Sequence, residues 1–567
     1  MSAVQPSFFR LQVLGDFRLL NQDLSEIQVS SKKGKAIFAI LALAPDHTVS
    51  RKTLKSLLWS RLSEVDASAQ CRNGIFRLRQ SLSSAGFDLL VPSRASVMLN
   101  TQSIQISFID SHNESLRLGL MPQSTDFLAD LTGLDPAFDR WLSDARVILF
   151  RSWSKEILTK TVQVQHTKTL SVKRRRATTI GIRPFRSMAT GLDANVTIAL
   201  AEEIANALST HSRLTVISVG SVATSLASGS GPGLALGLDF LLEGVLQQDV
   251  EELVLSVKLI EAETGVIAWI ERLRFNTTNL FAIQRLVASQ LIARLETRLP
   301  DLEIARLDRS GPAKDETYRL VLHAMVSIYR LDRSNFMEAG SLLRMAIVIE
   351  PEYAAPHAWL ALWLVLNVGQ GWTQTPEHDI FESGQLAARA IELDPEDARA
   401  LAVAGHIQAY LFGDIEGAIA LHERALAANP SLTLAWHLSA MTYAYSGDLA
   451  EAERRLEACW VLAPDDPNGW FADGARVLVT MLAGRYQAAI EIGRRVTRFH
   501  PSFISAYKGY LAALGHAGLL SEAQPVYLKL LSLEPGFSIE SFKQRLPYKK
   551  QDHIERFVGG LLLAGVT

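Results

Sequence analysis

The residues best suited to chemistry lie between Asp66 and Leu82, where apolar and basic side chains recur at helical spacing. Four residues at steps of four, three and four predict the buried side of a helix: Cys71, Ile75, Leu78 and Leu82. Successive helical residues turn by about 100°, which places a second set on or beside the opposite side: Ala69, Arg72, Asn73, Phe76, Arg77, Arg79 and Gln80. Arginine and asparagine can read guanine and adenine edges in the major groove, and arginine also neutralises phosphates. The pattern predicts a DNA-contacting helix, and a solvated basic surface is the alternative.

The chain before this helix supplies elements that would position it. Residues Phe9 to Leu20 are rich in strand formers and are interrupted at Gly15, which predicts an antiparallel strand pair or a bulged strand. A helical pattern of apolar residues then starts at Lys35 and ends at Pro45.

Two further features border the predicted DNA-contacting helix. Ser50 is a good N-cap for a second helix, and the first residues of that helix, Arg51 and Lys52, are candidates for phosphate contacts. Residues 87–100 predict two short strands joined by a turn, with Arg94 at its tip. Such a hairpin would form a wing with one more basic contact.

Strands, three helices in this order and a terminal hairpin resemble the winged helix-turn-helix domain of OmpR/PhoB-type response regulators. The similarity is closer to the antibiotic-regulatory (SARP-type) activators than to the response regulators. It lies in the segments SSKKGKAIFAILALAPDHTVSRKTLKSLLW and NGIFRLRQSL. The resemblance covers residues 7–108 and implies a domain that reads DNA with its third helix. No phosphoacceptor receiver domain precedes these residues, so we do not expect a phosphorylation switch.

The next segments continue the comparison with transcription regulators. Residues 113–165 contain FLADLTGLDPAFDRWLSDARVILF, in which apolar residues recur at steps of three and four, as helical burial requires. This helical segment resembles the start of the bacterial transcriptional activation domain that accompanies SARP-type winged helices. Residues 166–177 include the basic run KRRR and are expected to form a linker, with phosphate contacts as the alternative.

From residue 178 the pattern changes to that of an α/β unit. TTIGIRPF and RLTVISVGSV predict strands on either side of the amphipathic helix LAEEIANALS. A hairpin-rich stretch and a closing helix follow. The motifs IRPF, EGVL and KLIEAETGVIAW, followed by the helical FAIQ segment, resemble the TolB-like amino-terminal domain. The resemblance covers residues 178–300 and implies an α/β fold.

Several motifs in the chain do not predict catalysis. A glycine-rich stretch lacks the strand, glycine and helix spacing of a nucleotide site: Gly229, Gly231, Gly233 and Gly237. Four carboxylates that could be imagined as acid pairs are expected to be solvated: Glu202, Glu203, Glu261 and Glu263. Cys71 and Cys459 lack paired spacing, so we expect neither a disulfide nor a cysteine zinc site. We expect no catalytic residue, metal ligand or cofactor.

The carboxy-terminal half shows an internal repeat. Prolines that would end helical units are separated by 44, 35, 34, 37 and 34 residues: Pro351, Pro395, Pro430, Pro464, Pro501 and Pro535. A period near 34 residues is typical of tetratricopeptide (TPR) repeats, which we place at residues 315–545, with a capping helix at 546–567. The 44-residue interval predicts an inserted loop, NVGQGWTQTPEHD. Most aromatic residues of the repeats are expected in the core, and three histidines are expected to be packing or surface groups: His406, His422 and His437.

Charge and hydropathy add bounds on the class of protein. Residues 1–110 carry 13 Lys and Arg against 8 Asp and Glu, a net charge of +5, whereas the other residues carry 44 against 51, a net charge of −7. A basic first part suits a nucleic-acid partner. No segment approaches the roughly 20 apolar residues of a membrane helix, and no signal peptide is evident, so we expect a cytoplasmic protein. The resemblances given above imply a bacterial source.

We therefore interpret the chain as a multidomain α+β protein with a winged helix, an α/β TolB-like domain and an all-α TPR solenoid. The leading hypothesis is a sequence-specific transcriptional regulator with double-stranded DNA as partner, RNA polymerase and a second copy on DNA as further candidates, and a protein or peptide on the concave TPR face. A TPR scaffold or adaptor is the alternative. TolB-like plus TPR architectures also resemble those behind class III adenylyl cyclase domains. Residues 1–110 lack the paired metal-binding aspartates of a cyclase, so we expect no enzymatic activity and no cyclic AMP formation.

Overall fold

The computed structural model describes residues 10–12, 16–20, 25–29, 31–44, 46–84, 89–100, 128–146, 178–188, 194–209, 214–227, 236–249, 252–275, 280–310 and 316–567, apart from 465 and 467. The chain divides into two compact units, Met1–Ser154 and Lys155–Thr567. Among the helices of these described residues, none is long and apolar enough to cross a membrane.

The first unit contains three helices and two small sheets. Its elements are β1 Arg10–Gln12, β2 Arg18–Leu20, α1 Lys32–Leu43, β3 Thr48–Ser50, α2 Arg51–Leu58, α3 Glu64–Ser84, β4 Leu90–Pro92 and β5 Ser96–Leu99. Strands β1 and β2 pair antiparallel, and the second sheet has the antiparallel order β3-β5-β4. The strand pair, the three helices and the hairpin expected from the sequence are present. Strand β3 was not predicted, because three residues are too short to show a period of two.

Side-chain caps determine where the first two helices begin. Ser31 Oγ accepts a hydrogen bond from the Gly34 N–H at 3.0 Å, so α1 starts three residues before the predicted Lys35. Ser50 Oγ accepts from the Thr53 N–H at 3.0 Å, which is the predicted cap of α2. Both caps satisfy N–H groups that have no partner inside the helix.

The described part of segment 113–165 packs onto the helices of the first unit. It contains a short helical turn, Ala129–Leu131, and a helix at residues 136–146. Asp130 accepts hydrogen bonds from the Phe17 N–H at 2.8 Å and from Lys35 Nζ at 3.0 Å. Asp135 accepts from the Ser60 N–H at 3.1 Å and from Ser60 Oγ at 2.6 Å. These bonds join the segment to α1 and to the turn after α2. The predicted linker at 166–177 lies outside the described residues.

The second unit begins with a mixed sheet. Its elements are β6 Thr178–Ile182, β7 Arg186–Ser187, α4 Ala194–Ser209, β8 Leu214–Ile217, α5 Val219–Ala227, β9 Phe240–Asp249, β10 Glu252–Glu261, β11 Ile267–Phe275 and α6 Leu280–Ser310. The strand order is β11-β10-β9-β6-β8, with β7 also pairing with β9. Strand β6 is parallel to β8 and β9, whereas β9, β10 and β11 form an antiparallel meander. Helices α4 and α6 pack on the sheet through a shared apolar core.

One predicted strand of this region is partly wrong. The sequence RLTVISVGSV predicts a single strand over residues 213–222, but β8 ends at Ile217 and α5 begins at Val219. Ser218 causes the change, because its Oγ accepts from the Ser221 N–H at 3.3 Å and its carbonyl oxygen accepts from the Val222 N–H at 3.1 Å. A serine N-cap therefore outweighs the strand preference of the apolar residues that follow it.

The rest of the second unit is an array of six helix pairs. The first helices of the pairs are α7 Glu316–Arg330, α9 Ala354–Gly369, α11 Ala398–Tyr410, α13 Thr433–Ser446, α15 Trp470–Leu482 and α17 Ile504–His516. The second helices are α8 Arg333–Ile349, α10 Pro376–Leu393, α12 Ile415–Ala428, α14 Leu449–Leu462, α16 Tyr486–Phe499 and α18 Leu520–Leu533. Each helix packs on its partner, and each pair packs on the next. A short helix, α19 Ile539–Lys543, and a final helix, α20 Gln551–Leu563, follow.

The prolines and glycines mark the ends of these helices. Each predicted proline stands two residues after the last residue of a second helix; Pro464, for example, follows α14, which ends at Leu462. Gly447 ends α13 with a φ of 91°, a left-handed conformation that costs glycine little. Two alanines of this pair, Ala440 and Ala452, are fully buried, which lets α13 and α14 approach closely.

The inserted loop predicted for the 44-residue interval is partly wrong. Helix α9 extends to Gly369 and α10 begins at Pro376, so only residues 370–375 connect the two helices. This connection is longer than those within the other five pairs, and the remaining extra residues lengthen α9 and α10. Trp372 in the connection is buried, and its ring centroid lies 5.1 Å from that of Phe336 on α8. The apolar packing of this tryptophan anchors the connection in the core.

Candidate functional site

Helix α3 of the first unit presents a basic face, as its periodicity predicts. The four residues expected on the core side are buried: Cys71, Ile75, Leu78 and Leu82. Six residues of the predicted DNA-contacting set are exposed: Arg72, Asn73, Phe76, Arg77, Arg79 and Gln80. Ala69 is half-buried. Phe76 is 67% exposed, so an aromatic ring stands among the basic and amide side chains of this face.

The other three predicted contact residues border α3 in different ways. Arg94 is exposed at the tip of the β4–β5 hairpin, and Lys52 is exposed at the start of α2. Arg51 is half-buried, and its Nε donates a hydrogen bond to the Ser93 carbonyl oxygen at 2.9 Å. In addition, its N–H donates to the Ala95 carbonyl oxygen at 2.9 Å. Arg51 therefore joins α2 to the hairpin, a structural role that its sequence position did not indicate.

The second unit contains a groove between α6 and the helix pairs, which we call the docking groove. Its volume is about 880 Å³. Residues from α6, α7, α11, α13, α14, α15 and α16 line it. Two aromatic side chains of the lining are exposed, Trp460 to 50% and Phe499 to 67%. A third, Trp470, is buried, with its ring centroid 5.0 Å from that of His500.

Ion pairs hold the charged residues of the docking groove. Arg399 is buried, lies 3.2 Å from Glu296 of α6, and stacks its guanidinium 4.6 Å from the Trp359 ring centroid. Asp473 accepts from Arg495 Nη2 at 2.8 Å. Arginines and carboxylates are nearly balanced in the lining, so its exposed aromatic rings are the feature that distinguishes it.

A second groove, which we call the first-helix groove, is lined by α9, α11, α13, α15 and α17. Residues 542–557 of the same chain cover it, and a cavity of about 150 Å³ remains between them and the helices. Tyr410, Tyr445 and Phe471 contribute rings to its wall. Tyr445 is buried, which raises its pKa well above the ordinary value.

Three histidines near the first-helix groove are buried packing groups. His406 and His437 line the groove, and burial lowers the pKa of His406 to about 4 and that of His437 to about 3. His422 on α12 has Nε2 2.9 Å from Thr442 Oγ1, and its pKa is also lowered well below the ordinary value by burial. Within the helices described, these side chains serve packing, one of the two roles expected from the sequence.

One cluster in the described residues has the composition of a metal site. Potential ligand atoms of His378, Asp379 and Glu382 lie within 4.8 Å of one another on α10. Arg344 binds both oxygens of Glu382, and Asn367 Nδ2 donates to Asp379 at 2.8 Å. Since these partners already compensate the carboxylates, the cluster is an ion-pair network.

The glutamates and the glycine-rich stretch that do not predict catalysis lie in different parts of the second unit. Glu261 was expected to be solvated but is buried at the end of β10, where its carboxylate accepts from Thr264 Oγ1 at 2.6 Å. Glu263 is exposed, and Glu202 and Glu203 are half-buried on α4. Gly237 has a φ of 61° in the turn before β9, and Gly229, Gly231 and Gly233 lie outside the described residues.

The functional candidates that sequence reasoning missed are Trp460 and Phe499. The repeat pattern assigns most aromatic residues to the core, and these two are exceptions. Each lies near the end of a second helix, and apolar residues at neighbouring positions carry the packing. Exposure of one ring among several apolar neighbours has no signature in a single sequence.

Comparisons with known proteins give limited similarity. No family model matches the chain. The protein named "Putative adenylate cyclase 3" of Rhizobium meliloti (strain 1021) is 26% identical over 159 residues, 28% of this chain and 27% of that protein. The chain thus spans about a quarter of the length of this relative.

Solved structures with similar parts include two repeat proteins. YrrB, a TPR protein with an unusual peptide-binding site, is 18% identical, covers 34% of this chain and 93% of its own, and has a TM-score of 0.22. A tetratricopeptide repeat protein from Parabacteroides merdae ATCC 43184 is 16% identical, covers 44% of this chain and 100% of its own, and has a TM-score of 0.25. The six helix pairs and their period near 34 residues make the carboxy-terminal part of this chain a TPR region.

Proposed function

We propose that this chain is an adaptor whose TPR region docks a segment of a partner protein in the docking groove. The observation that carries the proposal is the pair of exposed rings, Trp460 and Phe499, beside a groove of about 880 Å³. Tryptophan is enriched among the residues that contribute most to protein interfaces, and exposed apolar patches mark such interfaces. Because the lining charges are nearly balanced, the favoured partner is a peptide segment with an apolar anchor rather than a highly charged one.

Removing both rings is expected to abolish most of this binding. Peptides selected from a random library on the full-length chain should carry an apolar anchor. They should bind a Trp460→Ala/Phe499→Ala variant at least about tenfold more weakly, since truncating one anchor typically costs more than about 1 kcal/mol. Isothermal titration of the selected peptides measures the change.

The matched control is Val348→Ala/Leu528→Ala, which shortens two exposed apolar side chains outside the groove. This variant should bind the peptides as the wild type does. Equal binding by the groove variant and the wild type would remove the basis of the proposal.

A second function, sequence-specific DNA binding by the first unit, is favoured by a separate observation. The face of α3 exposes Arg72, Asn73 and Arg77 around Phe76, and an apolar side chain can contact a thymine methyl group while its neighbours read base edges. The hairpin with Arg94 at its tip would lie where a wing contacts the backbone. In this proposal the first unit is a winged helix of the SARP type, and the TolB-like and TPR regions sense or dock the partner that controls it.

We also propose that the chain is not an enzyme, although it is similar in part to a protein named as a cyclase. The basis is the sequence of residues 1–110, which lacks the paired aspartates that hold the metal ions of nucleotide cyclisation. Incubation of the pure protein with ATP and Mg²⁺ should yield no cyclic AMP. Turnover proportional to protein concentration would reverse this proposal.

A further inference from the structure

We propose that residues 544–567 are an intramolecular ligand of the first-helix groove, and that a partner segment with an aromatic residue followed by basic residues competes for the same groove. The first-helix groove shares His437 and Phe471 with the docking groove, but Trp460 and Phe499 line only the docking groove. Different variants therefore test the two proposals, so one can be contradicted without the other.

The path of the chain after the last helix pair supports this inference. In the repeat array a first helix packs on both helices of the preceding pair, as α17 does on α15 and α16. Helix α20 instead packs on α17 and α15, which are both first helices. It thus lies across the groove rather than extending the array by another repeat.

Residues 548–550 bind the main chain at the end of α13. The ring of Tyr548 lies 5.6 Å from that of Tyr445, and the Lys549 N–H donates to the Tyr445 carbonyl oxygen at 2.9 Å. Lys550 Nζ donates to the carbonyl oxygen of Gly447 at 2.8 Å. Because the carboxyl end of a helix carries partial negative charge and unpaired carbonyls, a lysine is favoured there.

The same kind of contact recurs at the next pair. Arg556 Nη1 donates to the carbonyl oxygen of Leu482, the last residue of α15. The carbonyl oxygen of Arg556 accepts from His516 Nε2 at 2.7 Å, at the end of α17. The segment therefore binds the carboxyl ends of successive first helices. Its basic side chains and main-chain atoms form the hydrogen bonds.

Two glycines allow the close crossing of α20 and α17. A Cβ atom on Gly560 would collide with the Ala512 carbonyl oxygen, and one on Gly515 would collide with the Gly560 carbonyl oxygen. Gly559, the neighbouring residue, has open space at its Cβ position. A larger residue at Gly560 should therefore expel the segment from the groove, whereas the same residue at the adjacent Gly559 should not.

The fit of the segment is incomplete, which favours exchange for another ligand. A cavity of about 150 Å³ remains between Tyr548 and Phe557 of the segment and Tyr410 and Phe471 of the groove. This space is partly open to solvent, whereas a permanent core is packed densely and leaves few voids of this size. An aromatic side chain that fills the cavity more completely than Tyr548 would bind better than the chain's own segment.

The test measures binding of a fluorescent peptide of residues 544–567 to full-length protein. We expect Gly560→Val to bind the peptide at least tenfold more tightly than Gly559→Val, because only the former frees the groove. Hydrogen exchange of residues 551–563 should be faster in Gly560→Val, whereas α9 to α17 stay protected in both variants. A peptide with Tyr548→Ala and Lys550→Ala should not bind.

Equal peptide binding by the two glycine variants would overturn the inference, and so would unchanged protection of residues 551–563 in Gly560→Val. A third contrary result is a dimer in which residues 544–567 of each copy occupy the first-helix groove of the other copy. If Gly560→Val loses protection throughout the repeats, the full-length Tyr548→Ala/Lys550→Ala variant replaces it. That variant removes a ring and an ammonium group from the segment and leaves every groove residue intact. It should bind the unmodified peptide at least tenfold more tightly than Gly559→Val, and equal binding would again overturn the inference.

Discussion

Replacing Arg72 and Arg77 by alanine is expected to lower the affinity of the protein for its DNA site about thirtyfold or more. Each arginine that reads a base edge contributes about 1–3 kcal/mol. Removing an arginine that neutralises a phosphate also makes binding less dependent on salt, since each such phosphate adds about 0.9 to the slope. The measurement is a fluorescence titration at several salt concentrations, on the duplex that the wild-type protein selects from a random-sequence library.

The control for this experiment removes two arginines from other surfaces of the first unit. Arg18 lies on β2, where it is 3.1 Å from Glu26, and Arg140 is exposed on the helix at residues 136–146. An Arg18→Ala/Arg140→Ala variant has the same net charge as the test variant, so general electrostatic attraction changes equally. If both double variants bind DNA alike, α3 does not recognise it, and failure of the wild type to select any duplex would end the DNA-binding proposal.

Acidification is expected to destabilise the TPR region steeply below pH 6. The pKa of His406 is lowered to about 4 and that of His437 to about 3, because burial disfavours the charged imidazole, and His422 is lowered in the same direction. The unfolded chain protonates near pH 6.5, so it binds more protons than the folded chain below that pH. Stability is therefore complete above pH 6.5 and is lost as the pH falls toward the folded-state values.

The size of this effect follows from proton linkage. A histidine that stays neutral in the folded state costs about 1.4 kcal/mol per pH unit, so His406 and His437 together would remove about 2.5 kcal/mol between pH 5.5 and 4.5. His422, whose pKa is lowered in the same direction, adds to this loss. Urea unfolding followed by circular dichroism at a series of pH values measures it. A His437→Gln variant should be less stable than the wild type at pH 7, and the difference should shrink at pH 5. Parallel stability curves for the two proteins would show that His437 does not resist protonation.

The basic face of α3 is an example of a feature that periodicity alone could predict. Cys71, Ile75 and Leu78 are buried and Arg72 and Arg77 are exposed, as their helical spacing requires. Only the local geometry of a helix enters this prediction, and neighbouring elements do not change it. Arg51 shows the limit, because its contact with Ser93 joins residues that are 42 positions apart.

The helix pairs were predictable for a similar reason. A proline after each second helix and a glycine such as Gly447 after a first helix act within one turn of the chain. Where local signals compete, the prediction was wrong. Ser218 starts a helix inside an apolar run, and Trp372 packs into the core within a segment that its glycine and polar residues marked as a loop.

The sequence by itself determined the helical face around Arg77, the order of most strands and helices, and the period of the repeats, because each depends on residues within about 34 positions of one another. Only the tertiary structure decided that Trp460 is exposed, that α6 borders a groove, and that residues 544–567 cover the first helices. The contact between Lys550 and Gly447 joins residues 103 positions apart. Such contacts arise from the way the helix pairs pack on one another, and no spacing within a single segment encodes that packing.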